Sequence, residues 1–554
     1  MSIFHSWAIA EPVADGPYAI PAVSPIIRSL LIRRGVTDER SYRRFVSPEL
    51  ADLHDPSSIH GIDYACDRIA RAIADGEGIL IYGDYDVDGV TSIVMLQTVI
   101  RLLGGNVGYV VPDRLIDGYG LKQQVLDRVL EERDVRLVIT VDCGITSVKP
   151  VQYAVERGLD VIITDHHLPP GVLPSAAAVL NPKQPGCGYP FKDLAGVGVA
   201  FKLCCELIRR SGRKIAVDSL LKLAAIGTVA DVAPLVGENR SIVQLGLAGL
   251  SDVRNRGLRA LLKRLGLEGR PVRASDIGFK IGPRINAAGR LALATTAIEL
   301  FEAADDDTAW QLCTELDRLN AERQQVEKQV RAEADQQVRG GERVLIVAGE
   351  GWHRGVVGLT AGRLAQQHYR PCLAIAVDGD VCVGSARSIP TVNLHECLSR
   401  ASDLFVHFGG HELACGFAVR QADLPALRSR LTDIFAELDD SAFVRQATAE
   451  AILTLADLTP DVLAGLEMLE PHGSQNAQPL FVVAGCTVVS SREFSEDCRE
   501  LIVRDTTGEG TAVLWPSCRQ LAGDLGPGAS VDLLCHIESS KRGARLVIQD
   551  ARPA

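Results

Sequence analysis

The apolar positions between residues 62 and about 237 form short runs that are separated by longer amphipathic stretches. This pattern predicts, in order, a helix at 64–74, a strand at 79–82, a helix at 91–103, a strand at 107–111 and a helix at 123–132. Alternating helices and strands are typical of a parallel sheet covered by helices. We therefore predict an α/β domain over residues 61–237.

The segments on either side of this domain have other patterns. Residues 1–60 form an N-terminal segment with an arginine-rich helical piece at 26–45, and residues 238–340 are mostly helical and end in a polar run at 315–338. A solvated surface helix is the default interpretation of such a run. A second α/β domain is predicted over 341–445, with strands at 344–348, 372–377 and 381–387 and a helix that opens at Trp352 and runs to His368.

The last hundred residues change to short alternating strands. The predicted strands are 481–483, 486–490, 501–503, 512–515, 531–535 and 546–548. Five or six such strands suit an all-β OB-like barrel over residues 450–554. Trp515 is a candidate stacking platform for nucleobases, although a single tryptophan in a strand more often packs in a core.

Composition narrows the class of protein. The 14 cysteines include no Cys-x-x-Cys pair, which argues against a zinc ribbon and favours reduced core residues. No apolar stretch reaches the ~20 residues of a membrane span, and we expect a cytoplasmic protein. The net charge of −12 is unusual for a nucleic-acid binder, but global charge does not fix the local potential.

Carboxylates follow the predicted strands of the first domain. Asp84, Asp86 and Asp88 come directly after an apolar run, and Asp142 follows the run at 137–141. The run at 161–164 leads into Asp165, His166 and His167, and Asp231 comes shortly after the apolar stretch 220–226. Because parallel strands bring their carboxyl ends to one edge of a sheet, we expect these clusters to converge.

Simpler explanations exist for each cluster alone. An aspartate- and glycine-rich segment such as 84–89 is often a turn, Asp142 and Asp231 could cap a helix or close a turn, and a histidine pair is often a surface or core pair. These explanations do not account for the same residue types at successive strand ends. Carboxylates with one or two imidazoles suit Mn²⁺ or Mg²⁺, and several carboxylates around a small space suit two ions. The chemistry expected of such a site is phosphoester hydrolysis.

Four motifs closely resemble those of the DHH phosphoesterase superfamily, in the same order. They lie at residues 84–89, 141–144, 165–167 and 230–231. Further segments resemble the RecJ single-strand exonucleases, and these lie at 111–114, 117–121, 194–201, 284–290, 352–358, 384–390 and 409–416. The resemblance spans almost the whole chain.

The resemblance implies roles for individual residues. The implied metal ligands are Asp84, Asp86, Asp88, Asp142, His166 and Asp231. His167 is implied as a ligand or a phosphate contact, and Asp142 as the residue that bridges both ions. The implied substrate contacts are Arg114, Arg284, Asn286, Arg290, His353, Ser385, Arg387, Gly410 and His411, of which Arg114, Ser385 and Arg387 resemble a pocket for the 5′ end. Cys143 departs from the family, in which Asn is common at this position.

The family resemblance also implies an activity. It implies a metal-dependent exonuclease that degrades single-stranded DNA from 5′ to 3′ into mononucleotides, in DNA repair and recombination, with a helicase and a single-strand-binding protein as partners. It further implies a helical bridge between two lobes, a second, DHH-associated α/β domain and an OB domain. The alternatives are a DHH-type phosphodiesterase for oligonucleotides or cyclic dinucleotides, and a catalytically inactive scaffold at the replication fork.

Overall fold

The computed structural model describes residues 3–13, 20, 23–114, 116–118, 120–495, 498–541 and 543–554. Tyr119, which belongs to one of the RecJ-like segments, lies outside the described residues. The chain forms two compact units. The first unit consists of Ser47–Lys328 with Pro471–Asn476, and the second unit consists of Met1–Val46, Gln329–Glu470 and Ala477–Ala554.

The first unit contains the predicted parallel sheet. Its five strands are all parallel and lie in the order Asn106–Val110, Gly78–Gly83, Leu137–Val141, Asp160–Thr164 and Ala178–Leu180. The central strands are apolar on both faces because helices cover both. Ile79 and Ile81 pack into the core on one face, and Leu80 and Tyr82 pack into the core on the other.

The helices of the first unit match most of the predicted ones. The principal helices are Ile62–Asp75, Val87–Leu103, Gln123–Glu132, Val148–Glu156, Gly196–Ser211, Asp218–Ala230, Gly237–Gly249, Arg256–Arg264, Gly282–Leu291 and Thr295–Glu302. The predicted polar helix is the end of Asp306–Asp335, a helix of 30 residues within which the boundary between the units falls. From strand Gly78–Gly83 the chain crosses to Asn106–Val110 on one side of that strand and then to Leu137–Val141 on its other side. The crevice of the sheet therefore opens beside the carboxyl end of Gly78–Gly83.

The second unit contains a mixed sheet and a barrel. The sheet order is Phe405–Gly410, Ala414–Arg420, Val381–Arg387, Cys372–Val377 and Leu345–Glu350, with only the last pair parallel. The helices that accompany it are Val357–His368, Leu394–Ser399 and Leu424–Ala436. The prediction that a helix opens at Trp352 was wrong. The backbone turns first, with Gly355 N donating to His353 Nδ1 (3.0 Å), and the helix begins only at Val357.

The predicted OB-like barrel is confirmed. Its strands are Phe481–Ser495, Cys498–Arg504, Glu509–Leu514, Gly543–Pro553 and Ser530–Ser540, and the first pairs with both the second and the last, which closes the barrel. The two strands predicted at 481–490 are one strand, because an irregularity at Gly485 bends the chain without ending the pairing. Trp515, predicted as the last residue of a strand, lies just after strand Glu509–Leu514, with its ring edge-on to Phe494 at 6.1 Å.

The N-terminal segment contributes to the second unit. The predicted helical piece at 26–45 consists of two helices, Pro25–Arg33 and Glu39–Val46, and Gly35 lies between them with a φ of +78°. Residues of the first helix pack into the core of the barrel. Strand Ser6–Ile9 pairs in parallel with Gln446–Ala449, and the buried carboxylate of Asp550 accepts the Nε1–H of Trp7 (2.8 Å). Sequence patterns did not indicate this long-range packing.

None of the described helices is both long enough and apolar enough to cross a membrane.

The division of the sequence into segments at 60, 237, 340 and 445 stays a prediction.

Candidate metal centre and nucleic-acid contacts

The predicted ligands come together at the carboxyl edge of the parallel sheet. Potential ligand atoms lie within 4.8 Å of one another in three groups. The groups are Asp84 with Asp86 and Asp142, Asp88 with His166 and Asp231, and Asp142 with His166 and His167. Asp142 and His166 each belong to two groups. The arrangement is therefore one continuous cluster rather than three separate sites.

Asp86 and Asp88 are fixed by the ends of two helices. Asp86 caps helix Val87–Leu103 and accepts the backbone N–H groups of Asp88 (2.9 Å) and Gly89 (3.1 Å). Asp88 accepts the N–H groups of Gly196 (2.8 Å) and Val197 (2.6 Å) at the start of helix Gly196–Ser211. The positive end of that helix favours the charged form of the carboxylate. Both side chains are thus oriented before any ion arrives.

Asp142 lies on a tight turn after strand Leu137–Val141. Its φ is +58°, a value that is uncommon outside glycine but tolerated best by Asp and Asn. The Gly196 backbone passes close to its carboxylate, and a Cβ at Gly196 would lie only 2.6 Å from Asp142 Oδ1. The glycine at 196 therefore leaves the space that the Asp142 carboxylate occupies.

The two histidines are held differently. His166 Nε2 lies 3.2 Å from Asp142 Oδ1, 3.9 Å from Asp231 Oδ2 and 4.0 Å from Asp88 Oδ2. His167 Nδ1 bonds to Asp165 Oδ1 (2.7 Å), which fixes the ring, and Asp165 also accepts the backbone N–H groups of His166, His167 and Ile145. Asp165 is the first residue of the motif at 165–167, but the sequence did not predict a role for it. A buried carboxylate directly before two potential ligands was the available signal.

Burial and mutual repulsion shift the titration of the cluster. Burial, with the charge of Asp86, raises the pKa of Asp88 to about 7 and that of Asp84 well above its ordinary value. Burial, with the charge of Asp88, raises the pKa values of Asp142 and Asp231 well above the ordinary range. Burial and the neighbouring His167 lower the pKa of His166 to about 3, so its ring is neutral, as a metal ligand must be.

Asp165 and His167 shift each other in the opposite directions. Burial raises the pKa of Asp165, but the hydrogen bond and charge of His167 outweigh it, and the pKa ends below its ordinary value. Burial lowers the pKa of His167, but the same hydrogen bond outweighs it, and the pKa ends above its ordinary value. The two side chains thus have each other as hydrogen-bond partners, next to a cluster in which Asp84 Oδ1 and His166 Nε2 have none among the described residues.

The cluster fits a divalent cation. Among the described residues, neither Asp84 Oδ1 nor His166 Nε2 has a hydrogen-bond partner, although both atoms are buried. Buried polar atoms without partners are costly, and several carboxylates in contact repel one another unless a cation lies among them. Oxygen ligands with one or two imidazoles suit Mn²⁺ or Mg²⁺. No thiolate belongs to the three groups of ligand atoms.

The predicted substrate contacts in the first unit lie in two environments. The Arg114 guanidinium lies over the Tyr85 ring, 4.9 Å from its centroid. Asn286 Oδ1 accepts the N–H of Val87 (3.2 Å), and Arg284 pairs with Asp317, which also pairs with Arg264. Arg290 is half-buried on the same helix, Gly282–Leu291. The contacts of Asn286 and Arg284 are internal, and any role with substrate stays a prediction.

The remaining predicted contacts lie in the second unit. Arg387 Nη1 donates to Ser385 Oγ (2.8 Å) on strand Val381–Arg387. A Cβ at Gly358, in the first turn of helix Val357–His368, would lie 3.0 Å from Ser385 Oγ and 3.1 Å from Arg387 Nη2. A guanidinium beside a helix N-terminus is a suitable place for an anion. Gly358 belongs to the RecJ-like segment 352–358, but the sequence did not predict that it lies beside Ser385 and Arg387.

Gly410 ends strand Phe405–Gly410, and His411 follows it in the turn to strand Ala414–Arg420. Gly410 has a φ of +144°, and a Cβ there would lie 2.3 Å from Ala414 O, so only glycine fits the turn. His411 is exposed, while His353 is half-buried and uses Nδ1 to accept the Gly355 N–H.

Three family descriptions match the chain in sequence order. Residues 78–228 match the DHH family N-terminal domain, residues 341–437 match the DHHA1 domain, and residues 449–549 match the RecJ OB domain. The Bacillus subtilis single-stranded-DNA-specific exonuclease RecJ is 37% identical, with 98% of this chain and 70% of the relative covered. The Escherichia coli protein of the same name is 35% identical, with 85% of each chain covered.

Solved structures agree with this assignment. A crystal structure of RecJ in complex with Mn²⁺ from Thermus thermophilus matches with a TM-score of 0.85 at 30% identity, covering 99% of this chain and 80% of the other. A second structure of RecJ from the same source, in complex with Mg²⁺, matches with a TM-score of 0.78 at 28% identity and covers 99% and 78% of the two chains. The chain belongs to the RecJ family of single-stranded-DNA-specific exonucleases.

Proposed function

We propose that this protein is a divalent-metal-dependent exonuclease that hydrolyses the phosphodiester bonds of single-stranded DNA from the 5′ end and releases mononucleotides. The observation that carries the proposal is the buried carboxylate and imidazole cluster at the sheet edge, whose ligand atoms lie within 4.8 Å of one another. The relatives that match most of the chain are named single-stranded-DNA-specific exonucleases, and two of the matching crystal structures contain Mn²⁺ or Mg²⁺.

Six residues would hold two ions. They are Asp84, Asp86, Asp88, Asp142, His166 and Asp231, with Asp142 between the groups and His167 as a further ligand or a phosphate contact. Divalent ions bound here supply a nucleophilic water at neutral pH and stabilise the charge that develops on the phosphoryl oxygens. The chain's own contribution is preorganisation: helix ends orient Asp86 and Asp88, and Asp165 orients His167.

Arg387 and Ser385 would bind the terminal phosphate. The Arg387 guanidinium and the first turn of helix Val357–His368 place donors side by side, and a guanidinium binds phosphate oxygens in pairs. Arg114, Arg284, Arg290, Asn286, His353, Gly410 and His411 remain proposed contacts along the strand. A terminal-phosphate pocket gives an exonuclease its end preference, because internal phosphodiesters carry less charge than a terminal monoester.

The intact cluster also weighs against the non-enzymatic alternative. A scaffold has no use for buried carboxylates that repel one another, and such groups lower the stability of the protein that keeps them. The barrel and the match to the RecJ OB domain weigh against a phosphodiesterase limited to very short substrates.

Partners and location follow from the substrate. An enzyme restricted to single strands needs separated DNA, and the sequence has no Gly-x-x-x-x-Gly-Lys-Ser/Thr loop with which to drive separation by ATP hydrolysis. We therefore propose a helicase and a single-strand-binding protein as partners in repair and recombination, in the cytoplasm. Digestion of a duplex only after a helicase and ATP are added would support this; equal digestion of an isolated duplex would contradict it.

The direct test uses end-labelled oligonucleotides. Protein treated with EDTA and then supplied with Mn²⁺ or Mg²⁺ should release the 5′ label of single-stranded DNA as a mononucleotide at once, whereas a 3′ label should appear in a descending ladder. Blunt duplex should resist. Cleavage without added metal, or immediate release of the 3′ label, would overturn the proposal.

A further inference from the structure

The loop that follows Asp231 contains a strained backbone position next to the metal centre. Asp231 ends helix Asp218–Ala230, and the next residue, Val232, has a φ of +60° and is 68% exposed. A β-branched residue in this conformation is strained and persists only where its surroundings hold the backbone in place. The helix itself holds the first part of the loop, because the Val232 N–H donates to Val229 O (3.2 Å) and the Ala233 N–H donates to Thr228 O (3.2 Å). Residues 234 and 235 are held from outside the helix.

Two further contacts hold Pro234 and Leu235. Asn239 Nδ2 donates to Pro234 O (3.1 Å) and to Asp193 O (2.6 Å), which ties the loop to the segment before Gly196. The Leu235 N–H donates to Ser474 O (2.8 Å), more than two hundred residues further along the chain. The first unit consists of Ser47–Lys328 and the distant segment Pro471–Asn476, and the residues on either side of this segment belong to the second unit.

The distant segment is itself built to hold one shape. Gly473 N donates to Asn476 O (3.0 Å), and Asn476 N donates to Gly473 O (3.1 Å). The side chain of Asn476 is 3% exposed, and its Nδ2 donates to Pro471 O (2.8 Å), which closes the loop. Gly473 packs against the buried side chain of Leu235, where a Cβ would lie 2.6 Å from Leu235 Cδ1.

We propose that the loop Pro471–Asn476 positions Asp231 for metal binding, with Asn476 as a positioning residue that acts through Ser474 O and Leu235. This inference rests on the proposed function, because it takes Asp231 as a ligand. None of the loop's residues belongs to the three groups of ligand atoms. The loop limits the conformations of residues 234 and 235 and so holds the Asp231 carboxylate beside Asp88 and His166, as neighbouring hydrogen bonds do for other metal ligands.

Two variants of the full chain test the proposal in complementary ways. Asn476→Asp keeps the size of the side chain but removes the donor to Pro471 O. Gly473→Val keeps the hydrogen bonds and presses on Leu235. Gly523→Val is the matched control, since nothing lies within 4 Å of a Cβ at that position. Asp142→Ala serves as the reference for loss of the metal centre.

The measurements are Mn²⁺ affinity by isothermal titration calorimetry, melting temperature of the metal-free protein, and kcat and KM on a single-stranded oligonucleotide. We expect both loop variants to bind Mn²⁺ about tenfold more weakly, which is at the low end of the range for substitutions of residues that orient metal ligands. Their kcat at limiting Mn²⁺ should fall and recover at excess Mn²⁺, while KM for DNA should change less than about twofold. Gly523→Val should match the wild type.

The result is different if the loop Pro471–Asn476 only stabilises the fold and does not position Asp231. Both substitutions would then lower the melting temperature but leave the Mn²⁺ affinity of the folded protein unchanged, and that outcome overturns the proposal. If Asn476→Asp does not fold, Gly473→Val decides. If Asp142→Ala binds Mn²⁺ as well as the wild type, the proposed metal site itself is wrong; if Asp142→Ala loses Mn²⁺ and the loop variants do not, only the positioning role is wrong.

Discussion

At the sheet edge of the first unit, Asp84, Asp88 and Asp142 lie buried together, and two buried ligand atoms have no hydrogen-bond partner among the described residues. On strand Val381–Arg387 of the second unit, the Arg387 guanidinium instead donates to Ser385 Oγ and Ala386 O. The first region needs a cation to offset its charge, whereas the second satisfies its donors internally. The buried charges of the first region therefore require a bound cation. The contacts of the second region are compatible with an anionic ligand but do not require one.

The largest effect should follow removal of the shared ligand. Asp142→Ala should reduce single-turnover hydrolysis of single-stranded DNA by about 10³-fold or more, because Asp142 belongs to two ligand groups, while DNA binding survives. Asp134→Ala, an exposed carboxylate before the other end of the same strand, is the control. Cleavage by Asp142→Ala within about tenfold of wild type would remove the basis for a two-metal site.

Loss of the Asp165 carboxylate should have a smaller effect. Asp165→Ala removes the acceptor that orients His167 and should weaken Mn²⁺ binding by about 10- to 100-fold. Asp165→Asn keeps one acceptor oxygen and should fall between Asp165→Ala and wild type. Mn²⁺ titration calorimetry measures both, and equal affinity in all three proteins would mean that the His167 orientation does not matter.

Substitution in the second unit should change substrate preference rather than chemistry. Arg387→Ala should raise KM for 5′-phosphorylated DNA by about tenfold, the value of one charge-assisted hydrogen bond, and change KM for 5′-hydroxyl DNA less than about twofold. Arg420→Ala, an exposed arginine of the same sheet that pairs with Asp423, is the control. An equal rise of KM for both substrates would show that Arg387 does not read the terminal phosphate.

The smallest effect concerns stability without metal. A carboxyl group whose folded pKa is raised stabilises the folded state fully below its unfolded pKa, and this contribution is lost as pH rises through the folded pKa, about 7 for Asp88. His166, with its lowered pKa, acts oppositely up to about one pH unit above 6.5, while its imidazole is still partly charged in the unfolded state, but it is one group against four carboxyls whose pKa is raised. The metal-free melting temperature should therefore fall between pH 6.5 and 8.

Two comparisons sharpen this prediction. Asp84→Asn removes one of the repelling charges and should flatten the fall in melting temperature, whereas Mn²⁺ should raise the melting temperature by several degrees more at pH 8 than at pH 6.5. Differential scanning fluorimetry with EDTA or Mn²⁺ measures both. A metal-free melting temperature that rises over this range would contradict the charge repulsion described for the cluster.

The sequence predicted those features of the fold and of the site that depend on local patterns of residues. Alternating apolar runs gave the parallel sheet, and the position of Asp84, Asp142 and His166 after successive strands predicted that they would meet. Contacts between distant segments left no local pattern, so the support of Leu235 by Ser474 and the anchoring of Trp7 by Asp550 were not predicted. Removing the chain from residue 450 onward would therefore also remove the Ser474 contact to the loop after Asp231.

Anomalous diffraction at the manganese edge, from crystals of the full chain grown with Mn²⁺, tests the metal centre most directly. It locates manganese independently of activity. We expect two peaks at the carboxyl edge of the parallel sheet, one among Asp84, Asp86 and Asp142 and one among Asp88, His166 and Asp231, with Asp142 in contact with both. Manganese bound only elsewhere, or no peak at this edge at saturating Mn²⁺, would contradict the assignment of these residues as a two-metal centre.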